Sequence, residues 1–420
     1  MNKRLYKFCV VSALSLALSA CSASGNSHQK KILHSSKQST KQPTKWEVFD
    51  GDVSNRKMAS ALVKEYAQSI FSEGNPLGMA IVVIDNNQVI HHSFGETYPG
   101  SGIKPSQNSL IRIASISKLM TSEVMIKLAE QKRIKITDPL QKYTYHGVHV
   151  PDFDAGQPIR LYHLASHTSG LPREQPGGKW GRPVFIWPTQ SNRWNWLKNA
   201  DLETAPGTTA SYSNLAYDLL ADALSKATGE PYSRLLQEEI TLPYQMKDTT
   251  LTPTPAQCAR LMEGIKSSPC LSTIAAAGSG GIYSTPADMQ RWMQQFLSSH
   301  NHLRKQTASR EQGIYFKRTE LASIKGMDVA GKADGIGLGW VYMNGKKDVP
   351  GIYQKTGGGG GFNTYMAMIP EQNIGVFIVM TRKEHSKFHQ VTKGVNELVT
   401  ALAQNHNQIP EQPVMELVKK

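Results

Sequence analysis

The sequence predicts an α/β fold of the α+β kind: an antiparallel sheet flanked by helices, with a mainly helical region inserted between its two halves. Three observations predict it. Strand-like segments gather near residues 79–95 and again after Gly335, while helical spacing dominates the stretch between. Residues 46–410 contain no internal repeat and no Pro/Gly/Ser-rich linker, and their length suits one large domain or two intimate ones, so both groups of strands are expected in one sheet.

Taken in order, Asn55–Phe71 places Met58, Leu62, Tyr66 and Ile70 at helical spacing. "GMAIVVID" and "QVIHHSFG", separated by Asn86-Asn87, predict a β-hairpin. Ser115–Gln131 predicts a helix that is apolar on most sides and therefore buried. In the middle, "SNLAYDLLADALSKATG" is the clearest helix, with Gly229 as its stop. From Gly335 the strands "GIGLGWVYM", "GIYQKTG", "FNTYMAMI" and "NIGVFIVMT" follow, the last two joined by a turn at Pro370–Asn373. A helix over about 390–404 closes the domain. The sheet region is thus expected over about 46–125 and 290–410, the helical region over about 125–290, and residues 411–420 form a tail.

The first twenty residues are expected to be a leader. Lys3, Arg4 and Lys7 precede an apolar run, Phe8–Leu18, that is shorter than the roughly 20 residues a membrane-spanning helix needs. Leu18-Ser19-Ala20-Cys21 resembles the processing site of bacterial lipoproteins, which implies cleavage before Cys21 and lipid on its thiol. The alternative is an ordinary cleavage site with a chance cysteine. Residues 21–45 carry five lysines and no acid, and bury too little to offset their ordering entropy. They predict a tether of roughly 25–30 Å as a coil and at most about 80 Å stretched.

The charge divides accordingly. Of the net +14, three charges lie in the leader and five in the tether, which leaves +6 on residues 46–420. That is only mildly basic, and no basic stripe with interleaved aromatics points to nucleic acid. The tether lysines suit anionic lipid headgroups or an anionic wall polymer. Cys9 leaves with the leader and Cys21 is the anchor, so Cys258 and Cys270 remain as a pair. In an exported protein a disulfide is the expectation, and two buried thiols the alternative.

Ser-x-x-Lys occurs at Ser27, Ser54, Ser101 and Ser115, but only Ser115 opens an apolar helix directly after a strand-like "SLIRIA". Positions i and i+3 share a helix face, which brings Lys118 beside Ser115. A helix N-terminus adds free N–H groups and a positive dipole end. Burial would lower the lysine's pKa and fit it to act as a base. Two more motifs follow in order: Tyr212-Ser213-Asn214 where a helix begins, and Lys355-Thr356-Gly357 on a late strand. Taken alone, Ser213 or Asn214 also reads as a helix cap, and the glycines after Thr356 as a hairpin.

With these motifs in this order, the chain resembles the penicillin-recognising serine enzymes, in the branch shared by class C β-lactamases and low-molecular-weight D,D-peptidases. "LASHTSGLP", "APGTTASYSNLAYDLLADAL", "GSGGIYSTPADM", "GIGLGW" and "KTGGGGGFNTYMAMIPEQNIGVF" extend the resemblance over about residues 75–385. It implies a serine β-lactamase/D,D-peptidase-like fold and an acyl-enzyme on Ser115, with general-base work shared by Lys118 and Tyr212. It further implies Asn214 as substrate orienter, backbone N–H groups of Ser115 and Gly358 as oxyanion hole, and Lys355, Thr356 and Gly357 as substrate-binding residues. A cation with a hydroxyl suits a terminal carboxylate, so the substrates implied are peptidoglycan stem peptides ending in D-Ala-D-Ala, and β-lactams. Glycines 357–361 would let a peptide lie close along the strand. No cofactor is implied. Ser22 after the lipidated cysteine implies a periplasm-facing lipoprotein, sorted to the outer rather than the inner membrane.

Other functions fit the residues less well. His163 and His167 stand at i, i+4, the spacing of two zinc ligands, but Leu164 replaces the glutamate of that motif and no metal is expected. The five glycines follow Lys355 rather than precede a lysine, which is the wrong order for a phosphate loop. Trp180, Trp187, Trp194 and Trp196 are expected in the core, with a glycan-binding wall as the alternative. A class C-like β-lactamase, and a sensor that acylates without turnover, share the same catalytic groups.

Overall fold

Gly78–Asp85 (β1) is buried at every position, which a strand achieves only when both faces of its sheet are covered. Its alternate residues divide between two cores. Ala80, Val82 and Ile84 join the cluster that contains Ile113, Leu119 and Val124. Met79, Ile81 and Val83 join the cluster that contains Val63, Ile70, Val395 and Leu402. In this computed structural model the described residues are 50–407, apart from 155, 175–183, 186–187, 298–301 and 347–348. The expected leader, the tether with Cys21, the C-terminal tail, Trp180 and Trp187 lie outside them.

β1 pairs with Gln88–Gly95 (β2) through the expected two-residue turn. The rest of the sheet comes from the C-terminal third: Phe316–Lys317 (β3), Gly335–Ile336 (β4), Val341–Met343 (β5), Ile352–Gly359 (β6), Phe362–Ile369 (β7) and Ile374–Thr381 (β8). The order is β2-β1-β8-β7-β6-β5-β4-β3, antiparallel throughout. "GIGLGWVYM" is two short strands rather than one, because Gly339 at φ 83° breaks it. The turn at Pro370–Gln372 ends on Asn373 in the left-handed region, as its composition implied.

One face carries Asp50–Gly74 (α1) and Phe388–Asn407 (α5). The α1 stripe shares only Ile70 with the expected one. Ala59, Val63, Ala67 and Ile70 are buried, whereas Met58 is 51% exposed and Leu62 and Tyr66 are half-buried. Two small residues in that stripe let α1 and α5 pack closely, and this close approach outweighs the larger side chains one position away. The other face carries the helical region, including Ser117–Glu130 (α2), Asn214–Thr228 (α3) and Pro286–Met293 (α4). α3 ends at Gly229, which is left-handed at φ 76°.

α2 runs through the middle of this layer with Lys118 to Ile126 all buried. Trp194 is fully buried and donates to Asp222 at 2.9 Å, and Trp196 packs against the same core. Both take the core reading. Cys258 and Cys270 form a disulfide with Cα atoms 5.8 Å apart, within the normal range for such a bond. Among the described residues no helix is long and apolar enough to cross a membrane.

Candidate active site

Ser115 does not lie in α2 itself. It occupies a 3₁₀ turn, Ala114–Ile116, between the short strand Ile111–Arg112 and the start of α2. Ala114 stands at φ 48°, an uncommon conformation for a residue with a Cβ, of the kind that gathers at functional sites. The turn leaves Ser115 half-buried while both its neighbours are buried.

Lys118 is fully buried one turn later. Its Nζ donates to Ser115 Oγ at 3.3 Å, to Asn214 Oδ1 at 2.7 Å and to the Ser279 carbonyl at 2.5 Å. Burial pushes its pKa down to about 7, against the opposing pull of Asp218. Asp218 lies on α3, where burial raises its own carboxyl to about 6, and it accepts from Ser279 N and Oγ at 3.0 Å each.

Tyr212 arrives from the other side. The parallel pairing of Thr209–Ser211 with Ser323–Lys325 delivers it, and Ser213 caps α3 by accepting from Ala216 N at 3.0 Å. Tyr212 Oη donates to Ser115 Oγ at 2.5 Å. Three cations surround its ring: Arg173 Cζ at 4.8 Å, Lys118 Nζ at 4.9 Å and Lys355 Nζ at 5.2 Å from the centroid. Lys355 is buried on β6, and among the described residues no carboxylate pairs with it. Burial, opposed by Tyr212 and aided by the proximity of Lys118, lowers its pKa to about 8.

Gly357 shows why this triplet needs its glycine. A Cβ there would lie 2.2 Å from Thr364 Oγ1, 2.8 Å from the Ile113 carbonyl and 3.1 Å from Ser115 N. β6 therefore lies directly against the backbone of the Ser115 turn, and Gly358 beyond it is exposed. Three glycines beyond them also meet needs of the backbone itself. Gly360 and Gly361, at φ 61° and 93°, make the two-residue turn between β6 and β7. Gly359 packs against Phe185, whose Cζ would be 2.6 Å from a Cβ there. Thr356 is half-buried opposite Tyr365 in register, and strand alternation turns it to the other face from Lys355.

The structure thus brings together Ser115, Lys118, Tyr212, Asn214, Lys355 and Gly357. Several neighbours had no signal as isolated motifs. Ser279 and Asp218 hold Lys118 from behind, and Glu174 accepts from Asn214 Nδ2 at 2.8 Å. Ser279 sits inside "GSGGIYSTPADM" and Glu174 directly follows "HTSGLPR", so both lay in segments whose roles were not assigned. His163 and His167 do not share a helix face. The helix ends at Ala165 and His167 turns away at φ 61°.

A family model described as Beta-lactamase matches residues 59–400. The chain belongs to the β-lactamase family. Within it, the chain is 54% identical over 354 residues to the D-alanyl-D-alanine-carboxypeptidase/endopeptidase AmpH of Escherichia coli K12, covering 84% of this chain and 92% of that protein. A crystal structure of a β-lactamase/D-alanine carboxypeptidase from Yersinia pestis, complexed with citrate, aligns with a TM-score of 0.81 and 64% identity. That alignment covers 83% of this chain and 99% of the other. A β-lactamase/D-alanine carboxypeptidase from Pseudomonas syringae shares the β-lactamase-family fold at a TM-score of 0.66 and 18% identity, over 81% of this chain and 98% of that one.

Proposed function

We propose that this chain is a serine D,D-peptidase, a D-alanyl-D-alanine carboxypeptidase/endopeptidase that acts on peptidoglycan stem peptides through an acyl-enzyme on Ser115. The observation that carries this reading is Lys355: a buried cation without a counterion among the described residues, 5.2 Å from the ring of the tyrosine that hydrogen-bonds Ser115. A peptide ending in D-Ala-D-Ala brings a carboxylate to that charge.

The hydrogen bonds of Lys118 support a proton route. As an ammonium it donates to all three of its acceptors. As a neutral amine it donates two protons, and the two shorter contacts, to Ser279 O and Asn214 Oδ1, are the ones to keep. The lone pair then faces Ser115 Oγ. Ser115 Oγ attacks the carbonyl carbon between the two D-alanines while its proton passes to Lys118. Backbone N–H groups of Ser115 and Gly358 hold the oxyanion. Tyr212 gives its proton to the leaving amine as the C–N bond breaks, and Lys118 returns one to Tyr212. Water reverses the sequence and releases the shortened peptide. β-Lactams enter by the same acylation.

The leader reading completes the proposal. Cys21 carries lipid, residues 22–45 form the tether, and the enzyme faces the periplasm from the outer membrane. Mass spectrometry of the mature protein tests it. Acyl groups on Cys21 are expected, and their absence defeats the anchor. For the activity, the purified domain is incubated with muropeptides and with a chromogenic cephalosporin side by side. Released D-alanine with slow cephalosporin turnover is expected. Fast cephalosporin turnover without D-alanine release would make it a β-lactamase, and a stable stoichiometric adduct would make it a sensor.

A further inference from the structure

His167 touches three consecutive residues of the Tyr212 segment. Its carbonyl accepts from Ser211 N at 2.8 Å, and its Nδ1 accepts from Ser213 N at 3.1 Å. Its ring stacks on the Tyr212 ring between them, with centroids 4.5 Å apart and planes at 28°. The loop that follows continues the cradle. Ser213 Oγ donates to the Pro172 carbonyl at 2.7 Å, Asn214 N donates to the Arg173 carbonyl at 2.8 Å, and Arg173 lies over Tyr212.

The imidazole is 1% exposed, and among the described residues its Nε2 has no hydrogen-bond partner. Because Nδ1 accepts, the proton of the neutral ring resides on Nε2. Burial holds the pKa well below the ordinary histidine value, and Lys355, Lys118 and Arg173 press it further the same way. The ring is therefore an uncharged, flat support inside a ring of cations. It cannot reach Ser115's proton chain through a hydrogen bond of its own, so whatever it does for the reaction passes through Tyr212.

We propose that His167 is a positioning residue that sets the plane of the Tyr212 ring, and so the 2.5 Å approach of Tyr212 Oη to Ser115 Oγ. The cost explains itself in this light. The fold accepts a left-handed non-glycine backbone and an unpaired buried N–H at one residue, and each is unfavourable alone. Both follow from placing one side chain where its ring meets Tyr212 and its Nδ1 meets Ser213 at once. The inference rests on the proposed role of Tyr212 as proton donor and acceptor.

A double-variant cycle tests it. His167→Asn is suited to the left-handed backbone and removes the ring. The readout is the first-order rate constant of Ser115 acylation by a fluorescent penicillin, which is insensitive to any misfolded fraction, together with kcat and KM for a D-Ala-D-Ala peptide. Alone, His167→Asn should slow acylation and lower kcat about ten- to hundredfold, with KM changed by less than about threefold. In a Tyr212→Phe background the same substitution should cost less than about twofold, because the group it positions is gone. Losses that multiply in the double variant, or an unchanged rate in His167→Asn, would overturn the inference. Tyr212→Phe acylating at the wild-type rate is a distinct result: it removes the role of Tyr212 itself, and the inference with it.

Discussion

Tyr212 Oη and Ser115 Oγ lie 2.5 Å apart although 97 positions separate them in the chain. Lys118 reaches the same oxygen from only three residues away, at 3.3 Å. The serine oxygen is thus addressed by one local and one distant group, and the two make separable predictions.

Removing the oxygen is the simplest case. Ser115→Ala should abolish covalent labelling by a fluorescent penicillin, because the acyl bond forms through that hydroxyl. Ser54→Ala and Ser101→Ala, at the other Ser-x-x-Lys positions of the domain, should label like wild type. Persistent labelling of Ser115→Ala at the normal level would place the nucleophile elsewhere.

Lys355 separates substrates. A charge-assisted contact is worth about 1.5–3 kcal/mol, so Lys355→Ala should lower kcat/KM for a peptide ending in D-Ala-D-Ala roughly ten- to more than hundredfold. A neutral ester that acylates Ser115 makes no such contact and should lose far less. Equal losses for both would defeat the carboxylate contact and leave Lys355 as an electrostatic neighbour of Tyr212.

The two buried lysines also set opposite pH limbs. Lys118 acts as a base in its neutral form, so kcat/KM should rise as pH climbs through about 7. Lys355 holds a carboxylate in its charged form, so that contribution should fall as pH passes above about 8. Peptide cleavage should peak between these values, while a neutral ester should show the rising limb without the falling one. A falling limb of equal depth for the ester would detach it from Lys355.

Gly357→Ala tests the close approach of β6 to the Ser115 turn. The new methyl would meet Thr364 Oγ1 at 2.2 Å and the Ile113 carbonyl at 2.8 Å, so the strand must shift. Overpacking of this kind costs about 1–3 kcal/mol of stability, and a displacement near 1 Å slows a positioned reaction about hundredfold. Acylation should fall by that order, with a lower Tm. Adding Thr364→Ala should recover only part of either, since the Ile113 carbonyl stays in place.

The Cys258–Cys270 bridge closes a separation of 12 residues. Its loop carries Ser267, packed under Gly361, and Ser268, whose carbonyl accepts from Arg112 at 3.0 Å. Replacing both cysteines by serine should cost up to about 3 kcal/mol, read as a lower Tm. An unchanged Tm would mean that the native contacts of the loop hold it without the bond.

Much of this protein is legible in its sequence because the determinants are short-range or repeat with a period. The β1–β2 hairpin, α3 with its Gly229 stop and the Pro370–Asn373 turn follow from local patterning. The motif order Ser115–Lys118, Tyr212–Asn214, Lys355–Gly357 marks the site because three different elements carry it in sequence. The tertiary structure alone decided what depends on approach between distant segments. It placed Ser115 on a turn before α2, chose Ala59 and Val63 over Met58 in the buried stripe of α1, and gave Gly357, Gly359 and the Gly360-Gly361 turn separate reasons. It also set Asp218 and Ser279 behind Lys118 and laid His167 on Tyr212. Such contacts arise from close packing and from the need to pair buried polar groups, and neither leaves a period or a spacing along the chain.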